Sequence, residues 1–518
     1  MNGAECLLRT LLANEVELCF MNPGTSEMQF VSALDRVPNM RGVLGLFEGV
    51  CSGAADGYAR MAGKPAATLL HLGPGLANAL ANLHNARKAR SPVVNIVGEH
   101  STQHFGHEAP LTADIEAFAR PVSAWVRTVE RAGAIGEAAA AAVAAALGPP
   151  GRVATLIVPA DFSWSEAGEP GCPAARPSKS LPSGDRVRDA ACALRSSQRV
   201  GLLLGGAALQ ARGLRAADRL RAATGVRVFA DRHAARMTRG GGIPAVERMP
   251  YFPEQAQELL AGLERLVLVE SRPPVSFFGY PGVPSSLAPA DCAFDVLASE
   301  GQDGAGALEW LAEDLGAPPT LSGGSIPASL ALPSGEPLTP VTVARTVGAL
   351  APEGAIFSDE TVSAAGQIWP HLAHAARHDH LPVTGGAIGQ GLPVALGAAL
   401  ACPGRKLVAL EADGSAMYTL QSLWTMARER LDVTVVILAN HRYRILEIEM
   451  ERTGAGLVGP RADEMIDLSR PRPDWIKLGE GFGVQAARAA TADEFIREFG
   501  AAMREPEPRL IEAVLDSR

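Results

Sequence analysis

Residues 406–440 read KLVALEADGSAMYTLQSLWTMARERLDVTVVILAN, and this stretch decides the fold. It contains two short, continuous apolar runs, Leu407–Leu410 and Val433–Leu438, of the kind found in strands buried on both faces of a parallel sheet. A helical stretch near Leu420–Arg430 lies between them. Strand, helix and strand in this order predict a βαβ crossover, which brings the carboxyl ends of both strands to one edge of the sheet.

Polar residues follow both predicted strands at that edge. Asp413 begins the turn Asp413-Gly414-Ser415, and Asn440 ends the second strand. Carboxylate and amide oxygens suit Mg²⁺, which commonly shares its coordination sphere with bound phosphates. Gly414 allows a phosphate to approach the backbone at the start of the following helix. Taken singly, these residues are equally compatible with ordinary turn chemistry, so their spacing alone leaves the question open.

The same alternation of strands and helices extends along the whole chain. Pro/Gly/Ser-rich stretches at Ser163–Asp185 and Ala317–Pro340 indicate linkers. They divide the chain into three predicted domains, 1–162, 186–316 and 337–518. The first two domains contain further apolar runs, at Ala67–Leu70, Val93–Val97, Val200–Leu204 and Leu266–Val269. The predicted fold class is therefore α/β, with three doubly wound parallel-sheet domains.

The composition is that of a globular protein. The 518 residues are 47% hydrophobic and 20% charged, and the net charge of −9 disfavours nucleic acid or an anionic membrane as a partner. The seven cysteines form no C-x-x-C pair, which is typical of reduced thiols. Glu5 and Arg9 interrupt the first apolar stretch, and the alanine-rich run 137–147 is too short to span a bilayer. We expect a cytoplasmic protein with no membrane partner.

A second motif lies near the N-terminus. Phe47-Glu48-Gly49 is followed by Gly53-Ala54-Ala55-Asp56-Gly57-Tyr58-Ala59-Arg60. Alone, Glu48 could be a helix-start residue that complements the helix dipole. Together with Ala412-Asp413-Gly414-Ser415 and Ala439-Asn440, however, this segment resembles the thiamine diphosphate-dependent enzymes. The whole chain is similar to their acetolactate synthase and benzoylformate decarboxylase group.

The resemblance implies a metal-bound cofactor. It implies that Mg²⁺ is held by the side chains of Asp413 and Asn440 and by the backbone carbonyl of Arg442. Two positions depart from the family pattern: Ala412 replaces a glycine and Ala439 an asparagine, neither of them at a ligand position. The remaining positions that the resemblance assigns to thiamine diphosphate are Gly24, Asn78, Val362, Ser363, Gly386, Ile388, Gly414, Ser415 and Tyr443.

The resemblance also implies how the cofactor is activated. Glu48 would be the glutamate that hydrogen-bonds the pyrimidine ring, so that the cofactor's own imino group can remove the thiazolium proton. In the segment Gly385–Pro393, Ile388 would be the apolar wedge that bends the cofactor, and the carbonyl of Gly386 would accept a hydrogen bond from the ring amine. Without this context, an apolar residue among glycines indicates no more than core packing.

On the substrate side, Asn22-Pro23-Gly24-Thr25-Ser26-Glu27 resembles a benzoylformate decarboxylase segment. Thr25 falls on the substrate-binding serine of that segment, and His71 falls on one of two active-site histidines. A histidine there can orient a carboxylate or move protons, although a single histidine at a strand end is more often structural. Phe278 takes the place of the second histidine.

Further differences argue against benzoylformate as the substrate. The positions after the metal loop, Ile445, Leu446 and Glu449, differ from the family, and Glu449 is charged where an aromatic residue is expected. His104 and His107 are candidate replacement proton donors.

The predicted function is thiamine diphosphate-dependent decarboxylation of a 2-oxo acid, carboligation, or both, giving an aldehyde or a 2-hydroxy ketone. A catalytically impaired paralogue that serves as a cofactor-binding partner or scaffold is the alternative. A third hypothesis, a nicotinamide oxidoreductase, is based only on the α/β pattern. The segment Leu202–Gly206 begins no complete G-x-G-x-x-G motif. We expect no FAD. Family likeness implies a site shared between subunits, hence at least a homodimer, with a homotetramer expected.

Overall fold

The computed structural model describes residues 1–197, 199–319, 330–456 and 458–515. These residues form three α/β domains, each built around its own sheet of mainly parallel strands, which confirms the predicted fold class. Part of the predicted second linker, residues 320–329, and the C-terminal residues 516–518 lie outside the described residues.

The first domain contains a six-stranded parallel sheet in the order β2-β1-β3-β4-β6-β5. Its strands are β1 Leu18–Met21, β2 Arg41–Leu44, β3 Ala66–Leu70, β4 Val93–Glu99, β5 Trp125–Thr128 and β6 Val153–Pro159. Its helices are α1 Gly3–Ala13, α2 Met28–Leu34, α3 Glu48–Ala62, α4 Leu72–Ala89, α5 Ile115–Ala119, α6 Ile135–Leu147 and α7 Ala160–Trp164.

The middle domain contains a five-stranded parallel sheet in the order β10-β8-β7-β11-β12. The strands in this part of the chain are β7 Val200–Leu204, β8 Arg227–Ala230, β9 Met237–Arg239, β10 Glu247–Arg248, β11 Arg265–Val269 and β12 Ala293–Ala298. The helices are α8 Gly184–Ser196, α9 Ala211–Thr224, α10 Pro253–Leu260 and α11 Gly304–Asp314.

The third domain has a seven-stranded sheet in the order β17-β18-β16-β15-β13-β14-β9. Its own strands are β13 Ile356–Glu360, β14 His378–Pro382, β15 Leu407–Ala412, β16 Val433–Ala439, β17 Gln485–Ala489 and β18 Arg509–Val514. Its helices are α12 Pro340–Leu350, α13 Ala365–Leu372, α14 Gly391–Ala401, α15 Asp413–Ala416, α16 Ser422–Arg428, α17 Arg444–Arg452, α18 Pro460–Ile466, α19 Trp475–Gly481 and α20 Ala492–Arg504. Strand β9 comes from the middle domain and pairs antiparallel with β14 at the sheet edge.

The first and third domains share one hydrophobic core, in which α3 packs directly against α14. Small residues let the two backbones approach closely. A Cβ on Gly57 would lie 2.1 Å from the carbonyl oxygen of Val394, and one on Gly397 would lie 1.8 Å from that of Ala54. Helix α3 is therefore buried along almost its whole length. The helix that begins with Glu48 is thereby held between two sheets.

A buried ion pair within α3 also makes hydrogen bonds to the third domain. Arg60 donates to both carboxylate oxygens of Asp56, at 2.8 and 2.6 Å, and both side chains are almost completely buried. Arg60 also donates to the carbonyl of Pro382 and to Thr384 Oγ1, each at 3.0 Å. Asp56 accepts a further bond from Gln390 Nε2 at 2.8 Å. The Ala-Asp-Gly-Tyr-Ala-Arg motif thus fixes the loop that leads into α14.

None of the helices in the described ranges combines the length and the apolar composition that a bilayer crossing requires. All seven cysteines of the chain are free.

Candidate active site

The predicted metal ligands meet at one edge of the third sheet. Strands β15 and β16 pair in parallel, with Ala412 opposite Leu438, so Asp413 and Asn440 follow neighbouring strand ends. Asp413 Oδ1 accepts the backbone N–H of Gly414 at 2.8 Å. Asn440 Oδ1 accepts the backbone N–H of Arg442 at 3.0 Å, which closes a tight turn at the end of β16. Both oxygen-bearing side chains are therefore fixed before any ligand binds.

The surroundings of Asp413 fit a divalent cation. Burial raises the pKa of this carboxyl to about 6, and the charge of Glu512 adds to the increase, while backbone N–H groups of His441 and Gly414 oppose it. Within residues 1–197, 199–319, 330–456 and 458–515, no three His, Cys, Asp or Glu side chains are arranged to hold a metal. A cation at Asp413 would therefore take its other ligands from amide, carbonyl and cofactor phosphate oxygens.

The loops that the sequence assigns to the diphosphate and pyrimidine have unusual backbone conformations. Val362 adopts φ +46°, which is strained for a β-branched residue, and it begins a short 3₁₀ turn with Ser363. Gly386 and Gly389 adopt φ +81° and +86° on either side of Ile388, which is partly buried. Strain of the kind seen at Val362 clusters at functional sites.

The ring of Tyr443 covers the turn after Asp413. A Cβ on Gly414 would lie 2.3 Å from the ring of Tyr443, so only glycine leaves room for that ring. Ser415 is buried in the same short helix, α15. Arg442 turns its side chain away to pair with Glu447 and Asp463, which leaves its backbone near the turn.

Glu48 lies at the start of α3 and is buried. Its Oε2 accepts a hydrogen bond from Asn78 Nδ2 at 3.0 Å, so Asn78 contacts the predicted activating glutamate. One helical turn further along α4, Asn82 Nδ2 donates to the carbonyls of Gly49 at 2.8 Å and Gly389 at 3.1 Å. The polar face of α4 thus connects the glutamate to the 385–389 loop.

His71 sits in a polar cluster that the sequence did not predict. Its Nδ1 lies 2.8 Å from Glu27 Oε2 and 3.2 Å from Ser26 Oγ. The same Glu27 oxygen accepts the backbone N–H of Gly24 at 2.8 Å, and Ser26 Oγ donates to Glu27 Oε1 at 2.9 Å. The hydroxyl beside His71 belongs to Ser26, whereas Thr25 is exposed.

The other substrate-side candidates lie apart from this cluster. Phe278 is exposed and packs edge-on against Phe277 at 4.8 Å between ring centroids. The tip of Phe277 would lie 2.4 Å from a Cβ on Gly386, so Phe277 packs over the 385–389 loop. His104 and His107 are exposed, with their ring centroids 5.3 Å apart.

Helix α17, which follows the metal loop, carries the remaining candidates. Glu449 accepts a hydrogen bond from the Tyr280 hydroxyl at 3.1 Å. This bond ties α17 to the middle domain. Leu446 is exposed, and Ile445 is partly buried.

A buried pair of carboxyl groups lies beneath the 385–391 loop. Glu360 accepts the backbone N–H groups of Gly389 at 2.8 Å and Gly391 at 2.6 Å, yet burial raises its pKa to about 7. Burial and the neighbouring Glu360 raise the pKa of Glu411 well above its usual value. Two buried carboxyls this close cannot both ionise readily, so the pair keeps a proton near neutral pH.

Two of these features carried a signal in the sequence. Glu27 follows Gly24 by three residues, the spacing at which a helix-start carboxylate bonds back to the chain. Glu411 is a charged residue inside an otherwise apolar buried strand, a pattern that marks a site needing a partner.

A parallel-sheet fold with carboxylate and amide side chains at one strand edge, and a buried glutamate on a neighbouring domain, is typical of a class of cofactor enzyme. Two family models identify it. "Thiamine pyrophosphate enzyme, N-terminal TPP binding domain" matches residues 1–118, and "Thiamine pyrophosphate enzyme, C-terminal TPP binding domain" matches residues 363–513. The chain belongs to the thiamine pyrophosphate enzyme family.

Its relatives include decarboxylases and synthases. A Mycobacterium tuberculosis protein provisionally named acetolactate synthase large subunit IlvX is 50% identical over 100% of this chain and 99% of its own length. The benzoylformate decarboxylase of Pseudomonas aeruginosa is 29% identical over 95% of both chains. Among solved structures, the thiamine diphosphate-dependent 4-hydroxybenzoylformate decarboxylase of Rhodococcus jostii RHA1 superposes over 100% of both chains, with a TM-score of 0.87 and 26% identity.

Proposed function

We propose that this protein is a Mg²⁺-dependent thiamine diphosphate enzyme that cleaves or forms the bond next to the carbonyl carbon of a 2-oxo acid. Decarboxylation would give an aldehyde, and carboligation a 2-hydroxy ketone. The kinship with acetolactate synthases and benzoylformate decarboxylases supports both reactions. When bound, the cofactor supplies a carbon nucleophile and an electron sink.

The metal end of the proposed site is the better defined part. Asp413 and Asn440 hold Mg²⁺ through their side chains, and Arg442 through its backbone carbonyl. Around them, the diphosphate is held by a group of residues from two loops, Val362, Ser363, Gly414, Ser415 and Tyr443. The buried Asp413 carboxylate supports this assignment because a cation would stabilise its charged form.

The other residues act on the organic part of the cofactor and on the substrate. The Gly386 carbonyl and Ile388 shape the pyrimidine pocket, and Glu48 donates a proton to the pyrimidine ring. Gly24 and Asn78 border the cofactor from the first domain. His71 orients the substrate carboxylate or moves a proton, and Thr25 binds substrate at the exposed rim.

We further propose that each site lies between two copies of the chain, with Glu48 from one copy and the Asp413–Asn440 pair from the other. A homodimer is then the smallest active unit, and a homotetramer is the expected assembly. The buried position of Glu48 at the start of a helix clamped between two sheets supports a fixed, preorganised acid.

The observation that carries the function is the pairing of Asp413 with Asn440 at adjacent strand ends, in a chain that also buries Glu48. Titration calorimetry with thiamine diphosphate, with and without Mg²⁺, tests the binding. CO₂ release from a panel of 2-oxo acids, with product identification, then tests the reaction. Magnesium-dependent binding without turnover of any 2-oxo acid would favour a cofactor-binding partner or scaffold over an enzyme.

A further inference from the structure

We propose that Glu27 is a positioning residue that fixes the protonation pattern of His71, so that Nδ1 always carries a hydrogen and Nε2 alone exchanges protons with a ligand. This inference rests on the proposed function for the ligand, but its geometry is independent of it. Glu27 has only 4% of its surface exposed, and none of the family assignments above gives it a role.

The hydrogen-bond geometry determines which ring nitrogen carries the hydrogen. Glu27 Oε2 is 2.8 Å from His71 Nδ1, and a carboxylate can only accept hydrogen bonds. An unprotonated Nδ1 would place a lone pair against this carboxylate, which is unfavourable at that distance. The neutral ring therefore has its hydrogen on Nδ1.

The carboxylate is itself held in place. Its Oε2 also accepts the backbone N–H of Gly24 at 2.8 Å, and its Oε1 accepts the hydroxyl of Ser26 at 2.9 Å. Three donors, from Gly24, Ser26 and His71, thus converge on the buried Glu27 carboxylate. Glu27 lies in the loop after β1, and His71 follows β3. Because β1 and β3 are neighbours in the sheet, the contact is set by the fold rather than by chance packing.

Two glycines make room for the pair. A Cβ on Gly98 would lie 1.8 Å from Glu27 Oε1, and a Cβ on Gly24 would lie 2.2 Å from the His71 ring. The backbone of Gly24 is extended, a conformation that any residue can adopt. Glycine is needed at this position because a side chain would collide with the His71 ring. Glycines at positions 24 and 98 thus leave space for His71 and Glu27 respectively, which supports a specific arrangement of the two side chains.

The arrangement lies next to the proposed catalytic acid. A Cβ on Gly75 would be 3.4 Å from both Glu48 Oε1 and His71 Cβ, so these two residues flank the same glycine. A histidine with a fixed Nδ1–H at this point can accept a proton at Nε2 when neutral and donate one when protonated. Glu27 would act through His71, because its carboxylate contacts the His71 ring directly.

Nitrogen NMR of ¹⁵N-histidine-labelled full-length protein tests the protonation pattern without any need for turnover. The His71 signals are assigned by their loss in His71→Gln. We expect wild type and Glu27→Gln to show Nδ1–H, since the glutamine oxygen can still accept. In Glu27→Ala the Nε2–H form should gain population. Gly98→Ala should reproduce that gain, because its methyl group displaces the carboxylate. Glu270→Gln, which removes a buried carboxylate of the middle domain, is the control and should change nothing.

Wild-type protein with Nε2–H, or an unchanged pattern in Glu27→Ala, would overturn the inference. Kinetics with any 2-oxo acid that wild type turns over give a second readout. Glu27→Ala should lower kcat by at least about 10-fold with a smaller change in KM. In a His71→Gln background it should have little further effect. Equal losses in both backgrounds would contradict positioning through His71. Absence of turnover in wild type would count against the proposed function and leave the NMR result standing.

Discussion

The backbone N–H of His441 donates to Oδ2 of Asp413 over 2.6 Å, and this bond joins the ends of two neighbouring strands. His441 adopts φ +55°, a conformation that costs a non-glycine residue free energy. The strained residue stands directly between Asn440 and Arg442, two of the proposed ligands. The proposed metal site is therefore preorganised by the backbone as well as by its side chains.

Asp413→Ala should abolish the magnesium dependence of thiamine diphosphate binding. The substitution removes the charged ligand of the proposed metal site. Because the loss of an outer-shell partner of a metal ligand alone typically lowers metal affinity about 10–100-fold, we expect the cofactor affinity in Mg²⁺ to fall by more than about 100-fold. Calorimetry with and without Mg²⁺ measures it. Asp432→Ala, at the opposite end of β16, is the matched control and should bind normally. Wild-type affinity in Asp413→Ala would remove Asp413 from the metal site.

Glu48→Gln should separate binding from catalysis. Glutamine keeps the size and most hydrogen bonds of the side chain, including a partner for Asn78, but it has no proton to give to a ring nitrogen. We expect binding within a few-fold of wild type and turnover lowered by at least about 100-fold. Calorimetry and CO₂ release on the same preparation measure the two quantities. Unchanged turnover would show that Glu48 is not the activating acid.

The Asp56–Arg60 ion pair lies within α3 and hydrogen-bonds to the third domain, so it should contribute strongly to stability. Asp56→Ala leaves the buried guanidinium of Arg60 without its charge partner, and breaking such a pair typically costs about 3–5 kcal/mol. Arg120→Ala removes an exposed pair with Glu116 and should cost less than about 1 kcal/mol. Chemical denaturation of both variants provides the comparison. Similar losses in both would mean that Asp56 and Arg60 are not specially coupled.

The sequence predicted the features that depend on local pattern. Continuous apolar runs predicted strands β15 and β16, because such runs are typical of strands that are buried on both faces of a parallel sheet. The adjacency of Asp413 and Asn440 followed from the crossover rule alone. The observed helix α16, Ser422–Arg428, is shorter than the predicted 420–430, because α15 and a turn precede it.

Features that depend on tertiary contacts were not visible in the sequence. The contact between Glu27 and His71 joins residues from two strand ends and has no local signature. Strand β9 is only three residues long and joins the sheet of another domain, so no periodicity could place it. Glu411 visibly breaks the apolar pattern of β15 in the sequence, but its neighbour Glu360 is apparent only in the structure.

Stability should fall as pH rises through the titration of Glu360. Burial raises the pKa of this carboxyl from its ordinary value of 4.5 to about 7, so the folded state favours the protonated form. That contribution is fully present below pH 4.5 and is lost as pH approaches and passes 7. Denaturation of apo wild type and Glu360→Gln from about pH 5 to 8 measures it. The variant should show the flatter profile, and equal slopes would contradict the assignment.

Mixing two inactive variants tests most directly whether the site is shared between copies of the chain. Glu48→Gln and Asp413→Ala proteins are each prepared alone, then exchanged into mixed dimers under mild denaturation and refolding. If Glu48 of one copy serves the metal end of the other, each mixed dimer contains one site with both residues intact. Activity should then return to about a quarter of the wild-type value, since random pairing makes half of the dimers mixed and half of their sites whole. Mixtures that stay as inactive as the separate variants, despite confirmed exchange, would contradict a shared site.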